Sequence, residues 1–217
     1  MAGYYGSTEL TTALTMTRNP ERTRDRILSA ALKEFSAKGY AGARVDAIAR
    51  RAKANKRMLY HYFGKKDAVF REVVRRTIGR RVDVIRSTPD DPVESLPYWQ
   101  EIMCRDLDWV RLTQWEALSA GERPVVAERE RRAAFAHGLE KIRHGQRLGY
   151  LSRALDPAQL LLSMIALTTF PVAFPQITRL VTGSVPSDLG FHRRRAAFLR
   201  ALATHLQPRH ERVQRGV

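Results

Sequence analysis

Cysteine is nearly absent from this chain: Cys104 is the only one in 217 residues, which excludes an intramolecular disulfide and a cysteine-based metal framework. That usage predicts a cytoplasmic protein. No apolar run is long enough to span a bilayer. The most apolar, Leu160–Pro175, is broken by Ser163, two threonines and two prolines, so it predicts a buried helix and no membrane partner. Alternating apolar and polar residues of the strand kind are missing, as are internal repeats and low-complexity tracts. Chemistry-bearing motifs are missing too: there is no glycine-rich phosphate loop, nucleophile elbow, zinc-hydrolase His-Glu motif or Cys–His arrangement, so neither an enzyme nor a bound cofactor is expected. The last scarcity is negative charge, with 22 Asp/Glu against 38 Lys/Arg and a net charge of +16.

The excess of cations is local. Residues 21–86 hold 19 Lys/Arg against 7 Asp/Glu, the footprint of a polyanion partner. Within that stretch, residues 44–63 read as two short helices joined by a tight turn. Val45, Ile48, Ala49 and Ala52 fall at i, i+3, i+4 and i+7, a single buried stripe. Lys53 and Ala54 make the turn, and Asn55 suits the N-cap of the second helix. On that helix Lys56, Arg57, Tyr60 and His61 share one face, while Leu59 and Phe63 turn to the other. A front of Lys, Arg, Tyr and His can reach phosphates and base edges together in the major groove. The bland alternative is a solvated amphipathic helix.

The run ANKRMLYHYFGKKDAVFREVV, with Lys38-Gly39-Tyr40 before the motif and Gly64-Lys65-Lys66 after its helices, resembles the DNA-binding domain of the tetracycline-repressor-like (TetR) family. The resemblance is specific over about residues 21–86 and architectural beyond them. It implies an all-α protein: an N-terminal three-helix helix-turn-helix domain (21–86), then a C-terminal helical bundle (87–207) for dimerisation and ligand binding. The partners it implies are a palindromic double-stranded operator and a second copy of the chain. The implied activity is that of a sequence-specific transcriptional regulator, a repressor released from DNA by a small molecule. Arg44, Val45, Lys56, Arg57, Met58, Tyr60, His61, Tyr62 and Lys66 are the expected DNA contacts. Two residues depart from the family pattern: Arg44 stands where a threonine cap is usual, and Lys53 where the turn usually has glycine, which predicts a positive φ at a non-glycine residue. On the residues alone two other readings stay open, a helical small-molecule-binding protein and a nonspecific architectural DNA binder.

The remaining segments carry helical periods. Leu28, Ala31, Leu32 and Phe35 form the stripe of a first helix opened by Asn19-Pro20 and closed at Gly39 by a left-handed cap. Phe70, Val74, Ile78, Val82 and Ile85 belong to a longer helix that stops at the linker from Ser87 to Pro92. Further helices are predicted over 92–107, 108–120, 124–148, 156–182 and 190–207, with Pro171 and Pro175 kinking or breaking the fourth of these. Residues 1–20 have no basic leader and are expected to be disordered, and 208–217 form a basic tail.

Phe198, Leu199, Leu202 and Leu206 make a stripe behind an exposed Arg193–Arg195 cluster. With 156–182 it predicts a four-helix seam between two chains. Trp99, Met103, Trp109, Trp115, Phe135, Met164 and Phe170 are the candidates for lining an effector pocket, with few charged neighbours and hence a mostly apolar ligand. A plain helical core would use the same residue types. His137, Glu140 and His144 share a helix face without a fourth ligand and read as an exposed polar stripe rather than a metal site.

Overall fold

Every regular element among the described residues is a helix, as the periods require. A computed structural model describes residues 20–208, so the expected N-terminal segment, the Asn19 cap and the basic tail lie outside the described residues. The ten helices are α1 (Pro20–Gly42), α2 (Val45–Arg51), α3 (Lys56–Phe63), α4 (Lys66–Arg86), α5 (Pro92–Arg105), α6 (Leu107–Ala120), α7 (Glu128–Leu148), α8 (Pro157–Ala173), α9 (Pro175–Thr182) and α10 (Leu189–Thr204). Among them no single helix is long and apolar enough to cross a membrane.

The first four helices close on one apolar core. Ile27, Ala31 and Phe35 of α1 meet Ile48 of α2, Leu59 of α3 and Val69, Phe70 and Val74 of α4. Phe35 and Phe70 pack edge to face with centroids 5.0 Å apart. The linker after residue 86 marks a break in the chain, but the packing runs across it: Leu112 of α6 and Ala134 of α7 belong to the same cluster. Gly39 has the expected positive φ, 66°, but its ψ of 176° is extended rather than left-handed helical, so α1 kinks there and continues to Gly42. A side chain at residue 39 would meet the Trp115 indole of α6, since a Cβ would lie 2.9 Å from Trp115 Cδ2. The same two helices are joined by Ser36 Oγ, which donates to Asp108 Oδ1 at 2.8 Å, and by Lys33, which pairs with the same carboxylate.

The helix expected over 156–182 is two helices, α8 and α9, bent by 88°. Pro175 is the reason: it has no N–H to donate, and its ring drives Phe174 out of helical geometry to φ −124°, ψ 65°. Pro171 stays inside α8. Each proline orphans the carbonyl four residues before it, and each orphan is recovered by a side chain. Arg195 Nη2 of α10 donates to Leu167 O at 2.8 Å, and Thr178 Oγ1 donates to Pro171 O at 2.9 Å. Arg195 is therefore half-buried and does not belong to an exposed cluster with Arg193 and Arg194. The stripe on α10 also divides. Leu199 and Leu206 pack onto Leu96 within the same chain, Leu202 is half-buried, and Phe198 faces outward at 51 % exposure.

Glu34 is the buried charge of the first half, 2 % exposed. It accepts from Arg44 N at 3.4 Å and pairs with Lys38 at 3.0 Å, tying α1 to the start of α2. Burial alone would raise its pKa, but the Lys38 ammonium and the Arg44 N–H more than offset that and hold the carboxyl below the usual glutamate value of 4.5. A lowered folded-state pKa gives stability that is present above 4.5 and is lost as the pH falls through the folded value. Glu34→Gln should cost about 1–3 kcal/mol at neutral pH. Its deficit against the wild type should shrink as urea-unfolding curves are taken into acid, because only the wild type loses this contribution.

Candidate nucleic-acid interface and buried cavity

Helix α3 is short because both its ends are fixed by sequence. At the N-terminus Asn55 Oδ1 accepts from Met58 N at 2.7 Å, satisfying one of the orphan donors of the first turn. At the C-terminus Gly64 turns to φ 76°, a backbone angle open to glycine at little cost. The turn before the helix contains Lys53 at φ 50°, so the chain accepts a strained non-glycine residue there.

This geometry sets the front from the back. Lys56, Arg57, Tyr60 and His61 are exposed, and Leu59 is fully buried. Lys56 forms an ion pair with Asp46 of α2 at 3.1 Å. Hydrogen bonding to that carboxylate, together with its charge, raises the pKa of the lysine. Among the described residues the Arg57 guanidinium has no hydrogen-bond or ion-pair partner. Arg44 is exposed at the cap of α2, where its side chain makes no capping bond. Three of the expected contacts are less exposed. Val45 and Tyr62 pack against the core cluster, and Met58 is half-buried. Lys66 is half-buried as well; its ammonium lies 4.8 Å above the Tyr40 ring and donates to Ala41 O at 3.3 Å.

The second half encloses a cavity of about 330 Å³, within the range of small-molecule sites. Trp99 and Met103 of α5, Trp109 of α6, Phe135 of α7 and Met164 of α8 line it. Trp115 and Phe170 do not. Trp115 is on the opposite side of α6 against Gly39, and Phe170 points outward, with its ring 4.9 Å from that of Phe174. The wall is also more charged than the sequence suggested, since Arg81, Arg131, Lys141 and Asp90 are part of it. A signal for them was available: Arg81 stands three residues after Ile78 and four before Ile85, on the apolar stripe of α4, and Arg131 precedes Phe135 by one turn.

These charges are organised around Trp109, which has the Arg81 guanidinium 4.6 Å and the Arg131 guanidinium 5.2 Å from its ring. Arg131 Nη2 donates to both oxygens of Glu116 at 2.8 Å. Burial raises the Glu116 pKa, and Arg131 only partly opposes the rise. At the linker end Lys141 Nζ donates to Thr88 O at 2.5 Å and to Asp90 Oδ1 at 2.9 Å. His144 lies 3.7 Å from the other Asp90 oxygen, and Glu140 pairs with Arg147 at 2.7 Å. Among the described residues no group of three His, Cys, Asp or Glu could hold a metal ion.

Two family models match separate stretches of the chain. Residues 27–73 match the model for bacterial regulatory proteins of the tetR family, and residues 99–203 match a tetracyclin repressor-like C-terminal domain. The HTH-type transcriptional repressor SCO4008 of Streptomyces coelicolor is 34% identical over 173 residues, covering 76% of this chain and 86% of the relative. The HTH-type transcriptional repressor NicS of Pseudomonas putida is 50% identical over 54 residues, 25% of this chain and 26% of the relative. Among solved structures, the transcriptional regulator SCO4942 of Streptomyces coelicolor superposes with a TM-score of 0.71 at 29% identity, over 86% of this chain and 99% of that one.

The strained turn is directly testable. Lys53→Gly removes the positive-φ penalty while raising the entropy of the unfolded chain by a smaller amount, so the variant should be roughly 0.5–1 kcal/mol more stable than the wild type. A urea midpoint no higher than that of the wild type would show that the turn carries no strain.

Proposed function

We propose a mechanism for this chain, which belongs to the tetR family of bacterial regulatory proteins and is a DNA-binding transcriptional regulator: it represses from a palindromic operator, as a homodimer in the cytoplasm, and a small apolar effector releases it. The observation that carries the reading is the front of α3. Four exposed side chains suited to phosphates and base edges stand on a helix whose back is buried, in the segment that holds most of the positive charge. Arg57 is the base reader, because its unpaired fork matches guanine O6 and N7. Lys56, Tyr60 and His61 flank it, Arg44 adds a cation at α2, and Lys66 holds a phosphate after leaving Ala41.

Dimerisation uses the outward faces of α8 and α10. Leu162 is 61 % exposed and Phe198 51 % exposed, and Ala166, Ala197 and Ala201 beside them are small enough for close helix approach. A two-fold axis through such a seam would set one α3 against each half-site. The effector acts by population shift. It occupies the cavity walled in part by α4 and α6, the helices that also enter the core of the DNA-binding half. A ligand that fits the cavity better when the two α3 helices are wrongly spaced drives the dimer off DNA.

The test uses duplexes from beside the chain's own gene, at two salt concentrations. Arg57→Ala should relax preference at one base pair of each half-site by about 1–3 kcal/mol. Lys66→Ala should weaken all sequences alike and lower the salt slope by about one. Unchanged affinity and preference in Arg57→Ala would refute the placement of α3. A protein that binds palindromic and random duplexes equally would be an architectural binder instead. For the seam, Phe198→Glu buries an unpaired charge that should cost the dimer about 3–5 kcal/mol. Sedimentation should then find monomer, with operator binding greatly weakened.

A further inference from the structure

Three cations stand in the cavity wall, and they differ in how fully the protein already satisfies them. Arg131 donates from Nη2 to both oxygens of Glu116 and from Nε to Val126 O at 3.0 Å. Lys141 has two oxygen acceptors. Arg81 has far less. Of the five N–H groups of a guanidinium, only one on Nη2 meets an acceptor among the described residues, Asp106 Oδ2 at 3.0 Å, and Nε is buried with no hydrogen-bond partner among them. The Trp109 ring beside it offers a π face but no lone pair.

The counter-charge is also displaced. The Arg81 side chain is 14% exposed and that of Asp106 37%. Asp106 is further engaged in capping α6, where Oδ1 accepts from Trp109 N at 3.4 Å. Water screens the outer carboxylate more than the inner guanidinium, so the buried side of the pair carries net positive charge. Burial lowers the Arg81 pKa to about 10, which leaves it protonated at neutral pH. An apolar cavity with one under-satisfied, under-neutralised guanidinium in its wall asks for an anionic acceptor.

The rest of the wall fixes the shape of what carries that acceptor. On α7 the lining runs from Arg131 to Lys141, roughly 15 Å at the helical rise of 1.5 Å per residue. Between them lie Ala134, Phe135 and Gly138, with no polar group. Gly138 faces Leu161 of α8, where a Cβ would lie only 3.3 Å from Leu161 Cδ2. A long, unbranched or flat apolar body fits this strip, and a second charged group at its middle does not.

We propose that the cavity binds an elongated apolar molecule ending in a single carboxylate, with the carboxylate on Arg81 and the apolar body along α7. This rests on the effector reading above and names the chemical class of the effector. The probes are decanoate, decanol and the neutral dye N-phenylnaphthylamine, each titrated into the full-length protein and followed by tryptophan or dye fluorescence. In the wild type decanoate should bind about tenfold or more tightly than decanol, as a charge-assisted hydrogen bond requires. In Arg81→Met the two should fall within about twofold of each other, with the dye still entering the cavity. Should that variant not fold, Arg81→Gln, which keeps a polar contact for Asp106, carries the same expectation. The comparison in the wild type needs no variant. Equal binding of acid and alcohol, with the dye still entering, overturns the carboxylate and leaves the effector pocket standing. An acid preference that survives both substitutions overturns the placement on Arg81. Failure of acid, alcohol and dye alike overturns the pocket and this proposal together.

Discussion

Leu112 is 1 % exposed in a core built mainly by α1 to α4, although α6 carries it from the other side of the linker. A unit of about sixty residues buries too little surface to be secure alone, and here α6 and α7 supply packing that the short helices lack. The same turns of α6 have other duties. Trp109 and Thr113 reach the cavity, Asp108 holds Ser36 and Lys33 of α1, and Trp115 covers Gly39. A helix moves as a rigid body over this length, so a displacement felt at Trp109 is felt at Leu112 and Asp108 as well. The two halves are coupled through shared packing, and no separate signalling contact is needed.

A second constraint runs through the interior: polar groups taken out of water must find partners. The protein meets it by borrowing across elements. Leu167 O, orphaned by Pro171, is met from α10, and Pro171 O, orphaned by Pro175, is met from α9. Glu34 is met by a backbone amide at the start of α2. Arg131 and Lys141 are met on α6, on the linker and in the chain entering α7. Arg81 and Arg195 both depart from that pattern, each with a buried Nε that meets no acceptor among the described residues, and of the two only Arg81 stands in the cavity wall.

The helices were legible in the sequence because each short apolar stripe has one period and one face. Asn55 and Lys53 were legible for a related reason, since capping and turn chemistry depend on neighbours in sequence. Pro175 announced a break but not its angle, which depends on what Thr178 can reach. Trp109 and Trp115 could not be told apart by type or by stripe. They are six residues apart on one helix, and only the placement of α1 sends one to the cavity and the other to Gly39. On α3, Tyr60 and Tyr62 differ in the same way: one is exposed, and the other is drawn onto the core. The charged wall of the cavity is not legible in sequence because a cation on an apolar stripe looks like an interruption until its acid partner, far off in sequence, is placed beside it. Asp106 lies 25 residues from Arg81, and Glu116 15 from Arg131.

The elbow between α8 and α9 has the look of a joint, with two prolines and an 88° bend. Its hydrogen bonding argues otherwise. Both carbonyls that the prolines release are held by side chains, and Gln114 of α6 adds a third tie by donating to Ala173 O at 2.7 Å. A bend so pinned has one shape. The apolar ledge beyond it, with Ile177, Leu180 and Val181 turned to solvent, is presented ready-made. Covering that ledge would therefore cost little backbone entropy, and its affinity for a partner would be set by fit rather than by folding.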